Sequence, residues 1–322
     1  MRRPARCSTG LLAALLPALL PGLLPAMLLA ACARDDAPAP QAAAPVAAAA
    51  PASGSASAAM ASAKPMSVPE PARSPEQQKP LADALMQALF GERYQAGRGS
   101  AVIEMADGEG HTGLYAVKPL ALRHLDDGRT VLVANASESN EAGEDLSAHA
   151  SSGVLNVYLL KRDGAAWTVL GRHERVDELG SSGFIGSVSW VLVGPGRPGF
   201  IVSSGGTWQG STLLGGSVYD LSEGVRSLGG FSEHFDNGGA CLPGETDDCF
   251  EVDGAARFVD AGQPGPYWDI QVDYTGKHYT LTETADGKEV EHVKSTIREM
   301  GRYRFDGKIY KMVAGSDPVP GI

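Results

Sequence analysis

The sequence predicts a mainly β protein, with a single propeller-like or sandwich domain of antiparallel strands, preceded by a short helix and a disordered linker. Glycine accounts for 40 of the 322 residues, well above the usual level of about 7%. Short runs rich in Val, Ile, Tyr and Trp recur beyond Gly97, each bounded by Gly, Pro or Asp, which is typical of strands and turns. We therefore divide the chain into residues 1–31, a signal peptide, 32–79, a linker, and 80–322, the β domain.

The chain opens with the layout of a secretory signal. Residues 1–6 hold three arginines and no acid, and residues 11–31 are almost wholly apolar. A basic start, an apolar middle and a small-residue end are typical of such signals. The alternative is a permanent membrane helix, but three prolines interrupt the apolar run, and each costs about 3 kcal/mol inside a helix.

The apolar run ends in Leu29-Ala30-Ala31-Cys32, which resembles the lipobox of bacterial lipoproteins. The resemblance implies that the Cys32 thiol receives a diacylglyceryl group, that cleavage precedes it, and that the new amino group is acylated, for example with palmitate. Two or three acyl chains anchor a protein stably. Ala33, rather than Asp, follows the cysteine, so the resemblance favours an outer-membrane anchor, with the domain on the periplasmic side rather than the cell surface.

The linker, residues 32–79, is dominated by Ala, Pro and Ser. Such a composition cannot bury enough apolar surface to fold. A coil of this length would have a root-mean-square reach of roughly 35–40 Å. The linker could therefore lift the domain from the lipid or let it search for a partner, although a passive spacer explains it equally simply.

The domain begins with apolar residues at helical spacing over 81–90, ended by Gly91, and continues in short strands. A turn at Arg162-Asp163-Gly164 joins two of them as a hairpin. A second helix is expected near 289–295. The predicted strands are 130–134, 154–160, 167–170, 187–193, 200–203, 216–221, 258–260, 268–274, 279–284, 301–305 and 309–313.

Three stretches share the order of strand, glycine turn, strand, loop and aromatic strand. The third contains WDIQV at 268–272 and YRFDGK at 303–308, and resembles degenerate FG-GAP-type repeats of bacterial envelope proteins. The resemblance implies β-propeller blades, in which closely spaced aspartates often bind calcium. This chain departs from that pattern, because Asp126 and Asp127 stand in the first stretch whereas residues 194–197 of the second hold no acid. We therefore predict no metal site from it.

Two cysteines remain in the domain once Cys7 leaves with the signal and Cys32 is acylated. An even pair in an exported domain predicts a disulfide between Cys241 and Cys249, whereas metal binding by these thiols would need a second Cys pair or a suitably spaced His. Acidic side chains surround this loop, and they form either a solvated surface or a set of calcium ligands, although the order D-x-D-x-D-G is absent. They are Asp236, Glu245, Asp247, Asp248, Glu251 and Asp253.

Catalytic motifs are absent from the sequence. GPGRPG at 194–199 matches G-x-G-x-x-G in letters only, because its prolines remove amide donors and a strand follows. The run EHFD at 233–236 could supply an acid–base group if a serine folded near it. Trp208 lies in the glycine- and serine-rich stretch 203–210; we expect it to be exposed and name it as a possible binding residue.

These observations predict a lipid-anchored envelope protein that acts by binding or scaffolding, without catalytic residues, metal or cofactor. Its predicted contacts are membrane lipid through acylated Cys32, and an unknown envelope protein or glycan through the loops around Trp208 and the Cys241–Cys249 bridge. A net charge of −11 with no basic stripe excludes nucleic acid. Two alternatives stay open: a hydrolase of envelope polymers, and an inhibitor of another enzyme with the disulfide loop as a rigid wedge.

Overall fold

The computed structural model describes residues 75–106, 110–244, 249–262 and 264–320, all within one compact unit. The predicted fold class is confirmed: these residues form two antiparallel sheets and one short helix. Cys32, the lipobox and most of the predicted linker lie outside the described residues. Within the described ranges, no helix is both long and apolar enough to cross a bilayer.

Helix α1, Pro75–Phe90, confirms the helix predicted over 81–90 and begins before the boundary predicted at residue 80. Its apolar face, with Leu85, Met86 and Leu89 buried, packs on the first sheet. Gly91 follows with φ +56°, a left-handed conformation that glycine adopts without steric cost, and the chain leaves the helix there. The burial of this face positions the helix, because most helical stability in proteins comes from packing of an apolar face, and Pro80 inside α1 weakens its own hydrogen bonding.

The first sheet has six strands, each paired with its neighbours in the sequence. The residues of β4 alternate between the two faces of this sheet. Leu132 and Ala134 pack with the helix, whereas Val131 and Val133 pack toward the second sheet, so both faces are apolar. The strands are β1 Tyr94–Gln95, β2 Ser100–Ala106, β3 Thr112–His124, β4 Arg129–Glu138, β5 Gly153–Asp163 and β6 Ala166–Leu179.

The second sheet has eight strands in the same consecutive order. The helix expected near 289–295 is wrong, because this segment is part of a strand that pairs with its predecessor along the whole hairpin. The runs predicted at 268–274 and 279–284 are one continuous strand. The strands are β7 Ser187–Gly194, β8 Arg197–Trp208, β9 Ser211–Asp220, β10 Arg226–Asp236, β11 Cys249–Val259, β12 Asp269–Glu283, β13 Glu289–Phe305 and β14 Tyr310–Gly315.

The two sheets pack face to face through an apolar layer. Val133 and Val157 of the first sheet meet Phe200, Val202 and Tyr219 of the second. The rings of Phe200 and Tyr219 are stacked, with centroids 4.8 Å apart. A further apolar cluster lies within the second sheet alone.

The three similar stretches fall in different parts of this architecture. The first spans β3 to β5, in the six-stranded sheet, and the second spans β7 to β9, in the eight-stranded sheet. The third spans β11 to β14 of that same sheet. Their kinship with FG-GAP-type repeats stays a prediction.

Candidate functional site

Trp208 is the last residue of β8 and is exposed, as predicted, with 41% of its accessible surface in solvent. The hairpin to β9 turns through Gln209 and Gly210, whose φ angles are +49° and +81°. Two successive left-handed residues give the tight turn that matches strand twist. The indole therefore stands at the tip of a rigid hairpin.

Gly206 fixes where the indole lies. A Cβ atom on Gly206 would stand 2.6 Å and 2.8 Å from two carbons of the Trp208 ring, and 2.8 Å from the Ser181 hydroxyl. Real Cβ atoms do not come so close, so a larger residue at this position would make the ring shift away from the strand. The backbone thus supports part of the indole and the remainder faces solvent.

His149 binds the edge of β8 next to Trp208. Its ring centroid is 6.4 Å from that of Trp208, and Nε2 donates to the Thr207 carbonyl at 2.9 Å. Because Nε2 carries this proton in the neutral ring, Nδ1, 3.2 Å from the Ser182 hydroxyl, accepts from it. The imidazole is thereby fixed in position and tautomer beside the indole.

The loops that supply these side chains are themselves tied together. His149 lies between β4 and β5, and Ser182 between β6 and β7; the Ser182 amide donates to the His149 carbonyl at 3.0 Å. Buried Asn135 donates to the Gly183 carbonyl at 2.9 Å and accepts from the Ile185 amide at 2.8 Å. Because the buried Asn135 side chain both donates and accepts a hydrogen bond, it fixes the loop that contains Ser182 against the first sheet.

The disulfide loop adjoins the other side of the Trp208 hairpin. The turn residue Gly210 packs against Gly239 and Ala240 so closely that it has no room for a Cβ, and Cys241 follows at once. Cys241 and Cys249 lie at disulfide distance, with Cα atoms 5.9 Å apart. The Trp208 loop and the disulfide loop, both predicted from the sequence as contact sites, are therefore neighbours in the fold.

The three acidic residues near this loop that the structure describes each bind a different partner. Asp236 accepts from the Gly238 amide at 2.6 Å, Asp253 pairs with His234, and Glu251 pairs with Lys277. The other three, Glu245, Asp247 and Asp248, fall outside the described residues. Across the part of the chain that the structure describes, no group of three or more potential metal ligands occurs.

Ser203 and Glu233 form the strongest candidate for acid–base chemistry. The Ser203 hydroxyl donates to the Glu233 carboxyl across β9. Burial raises the pKa of Glu233, and the hydrogen bond from Ser203 opposes this shift only in part. The pair has no histidine partner among the described contacts.

A hydrolase site would need a His–carboxylate pair beside a serine or threonine. His234 does bind a carboxylate, Asp253, at 2.8 Å. In the described ranges, however, no hydroxyl bonded to His234 accompanies this pair.

A small cavity between hairpin turns was not predicted from the sequence. It has a volume of about 290 Å³ and is lined by Arg123, His124, Asp126 and Asp127 together with the turn between β7 and β8. That turn is the GPGRPG segment at 194–199, and β8 follows it directly. The segment is thus a hairpin, as predicted, without the helix that a dinucleotide site requires.

No protein-family model, curated protein or solved structure matches this chain.

Proposed function

We propose that this chain is an envelope lipoprotein, anchored by lipid on Cys32, whose β domain recognises a partner through the Trp208 surface. This surface comprises Trp208, His149, Ser181, Ser182 and the adjoining segment 238–241. The observation that carries the proposal is an exposed indole that lies against the backbone at Gly206. Binding, rather than catalysis, is the activity that this geometry supports.

The anchoring part of the proposal rests on the sequence. The Leu29-Ala30-Ala31-Cys32 motif ends an apolar segment that follows a basic start. A cysteine pair at disulfide distance agrees with an oxidising compartment outside the cytosol. Both features support an exported, lipid-bound protein.

The recognition part rests on the energetics of fixed aromatic side chains. Tryptophan is enriched among the residues that dominate binding free energy, because its large apolar surface gains most when covered. A ring already held by Gly206 and flanked by the fixed imidazole of His149 loses little conformational entropy on binding. Leaving such a large apolar ring in contact with water is unfavourable, and a surface with no binding role would not require it.

The anchor is tested by labelling cells with radioactive palmitate and fractionating their membranes. We expect wild-type protein to incorporate label and to sediment with the outer membrane, and Cys32→Ala to lose both. Cys7→Ala serves as the matched control, because Cys7 lies within the segment that is cleaved. Unchanged labelling of Cys32→Ala would contradict the anchor.

The recognition surface is tested by retention of purified protein on envelope fractions from cells that lack it. We expect Trp208→Ala to weaken retention at least tenfold. Met312→Ala, which removes a 47% exposed side chain from β14, should leave retention unchanged. Equal retention of Trp208→Ala and wild type would show that the partner, if any, binds elsewhere.

A further inference from the structure

We infer that the Trp208 surface binds an uncharged pyranose saccharide, which stacks one apolar ring face on the indole. The inference rests on the proposed function and names the ligand class for the same surface. It follows from three features of the surface: the support of the indole, the hydroxyl groups near it, and the lack of a lysine or arginine over it among the described residues.

The support of the indole suits a flat ligand. Gly206 allows the ring to lie against the backbone of β8, so the strand covers part of the ring and the remainder faces solvent. A pyranose presents a face of C–H groups of similar extent to an indole. Covering that face removes apolar surface from water on both partners.

The hydroxyls of Ser181, near Gly206, and of Ser182, beside His149, have unused hydrogen-bonding capacity. The Ser181 hydroxyl donates to the Gly205 carbonyl at 3.2 Å, which leaves its two acceptor lone pairs. The Ser182 hydroxyl donates to Nδ1 of His149 and likewise keeps acceptor capacity. Sugar hydroxyls donate readily, so both serines can fix the orientation of a ring stacked on Trp208.

The electrostatics favour an uncharged ligand. Among the described residues, no lysine or arginine lies over the Trp208 ring, whereas Arg123 and Arg162 lie over Trp190 and Trp167. The chain carries a net charge of −11, which repels phosphate- and carboxylate-rich polymers. A neutral saccharide avoids this repulsion.

The test titrates full-length protein in detergent micelles with cellotetraose and with the tetramer of N-acetylglucosamine, and follows tryptophan fluorescence and calorimetric heat. Dextran sulfate serves as the anionic comparison. We expect at least one neutral tetramer to bind, and Trp208→Ala to raise Kd at least tenfold. Trp208→Tyr should restore part of the affinity, because a smaller flat ring still stacks.

Gly206→Ala is the sharper variant. It keeps the indole but places a methyl group where the ring and the Ser181 hydroxyl lie, so we expect a weaker affinity in a domain that still folds. Met312→Ala is the control that should bind as wild type does. Circular dichroism checks that each variant is folded before its affinity is interpreted.

The outcomes separate the two proposals. If Trp208→Ala loses envelope retention while neither tetramer binds, the surface recognises a protein, and the saccharide inference is overturned with the proposed function intact. If neither retention nor saccharide affinity depends on Trp208, both proposals fail. Tighter binding of dextran sulfate than of the neutral tetramers would also overturn the inference.

Discussion

Asp220 offers the most direct test of what holds the second sheet together. Its side chain is only 4% exposed and its two oxygens accept four hydrogen bonds. One oxygen accepts from the Arg197 guanidinium at 2.6 Å and from the Tyr267 hydroxyl at 2.9 Å. The other accepts from the amide and the hydroxyl of Ser222, at 3.0 Å and 2.6 Å. The carboxylate thereby joins the end of β9 to β8 and to the segment before β12.

Asp220→Asn keeps the shape and removes the charge, so its cost can be worked from these contacts. An amide group has one oxygen, so one pair of donors must then face an NH₂ group. Hydrogen bonds to charged groups contribute about 1.5–3 kcal/mol each, and breaking a buried ion pair costs about 3–5 kcal/mol. Arg197 is 22% exposed and can rehydrate in part, so we expect a loss of about 3 kcal/mol. For a domain of this size the melting temperature should fall by roughly 6–12 °C.

The direction in which this loss of stability changes with pH follows from the pKa of Asp220. Burial opposes ionisation of Asp220, but hydrogen bonds from Ser222 and Arg197 outweigh it and lower its pKa below 3.8. A lowered folded-state pKa gives stability that is present above the unfolded-state value and is lost as the pH falls through the folded-state value. The difference between wild type and Asp220→Asn should therefore be full at pH 7 and shrink below pH 3.8.

Urea unfolding followed by circular dichroism at pH 7 and pH 3 measures both quantities. Asp127→Asn is the matched control, because Asp127 also pairs with an arginine, Arg129, and its pKa is also lowered. Its side chain is 49% exposed, so we expect less than about 1 kcal/mol. Equal losses for the two variants, or a loss for Asp220→Asn that is the same at both pH values, would refute the reasoning.

Three further predictions follow from burial and cross-linking. Glu233→Gln should raise the melting temperature at pH 7 and not at pH 4, because burial raises the pKa of Glu233 above 4.5 and its ionisation is unfavourable only above that value; a calorimetric scan at both pH values decides this. Replacing Cys241 and Cys249 by serine should lower the free energy of unfolding by about 2–3 kcal/mol, in a urea titration, and reductant should then have no added effect. Phe200→Ala, at a fully buried site between the sheets, should cost about 3–5 kcal/mol, whereas a loss below 1 kcal/mol would show that the sheets do not depend on this layer.

The strand prediction missed β1, β2, β3 and β10, and two of these, β3 and β10, are interrupted by a register shift. Strand β3 was not predicted; it contains Pro119, which discourages a strand, but a register shift between Pro119 and Ala121 accommodates the missing donor. Strand β10 contains Gly229 and Gly230 at a similar shift, so its apolar pattern changes phase. In these two strands the period-two pattern fails because the pairing with the neighbouring strand changes register partway along.

Residues 289–295 were predicted to form a helix, but they belong to a strand. Their mixture of glutamate, valine and lysine is compatible with an exposed helix, yet β12 pairs with every part of this segment except at one bulge. Most of its side chains are exposed, so burial left no alternating pattern to detect. Long-range backbone pairing decided the structure, and no local signal records such pairing.

Trp208 could be predicted from the glycine and serine around it, but its neighbours could not. His149 lies 58 residues from the Thr207 carbonyl that it binds, and 33 from Ser182. Gly206 could have been a clue, because a glycine two residues before a tryptophan on a strand can lie beneath its ring. The sequence contains many glycines in other settings, so this one gave no separate signal.

The Trp208 surface follows from how β8 ends. Strand β7 stops pairing with β8 at Ser203, so the edge beyond it would expose carbonyl groups that invite another strand. Side chains cover this edge instead: Ser181 binds the Gly205 carbonyl and His149 binds the Thr207 carbonyl. Both come from connections between strands of the first sheet or between the two sheets, so the indole is positioned by residues of both halves of the domain. Substitution of His149 should consequently alter recognition at Trp208 even though His149 serves first to protect a sheet edge.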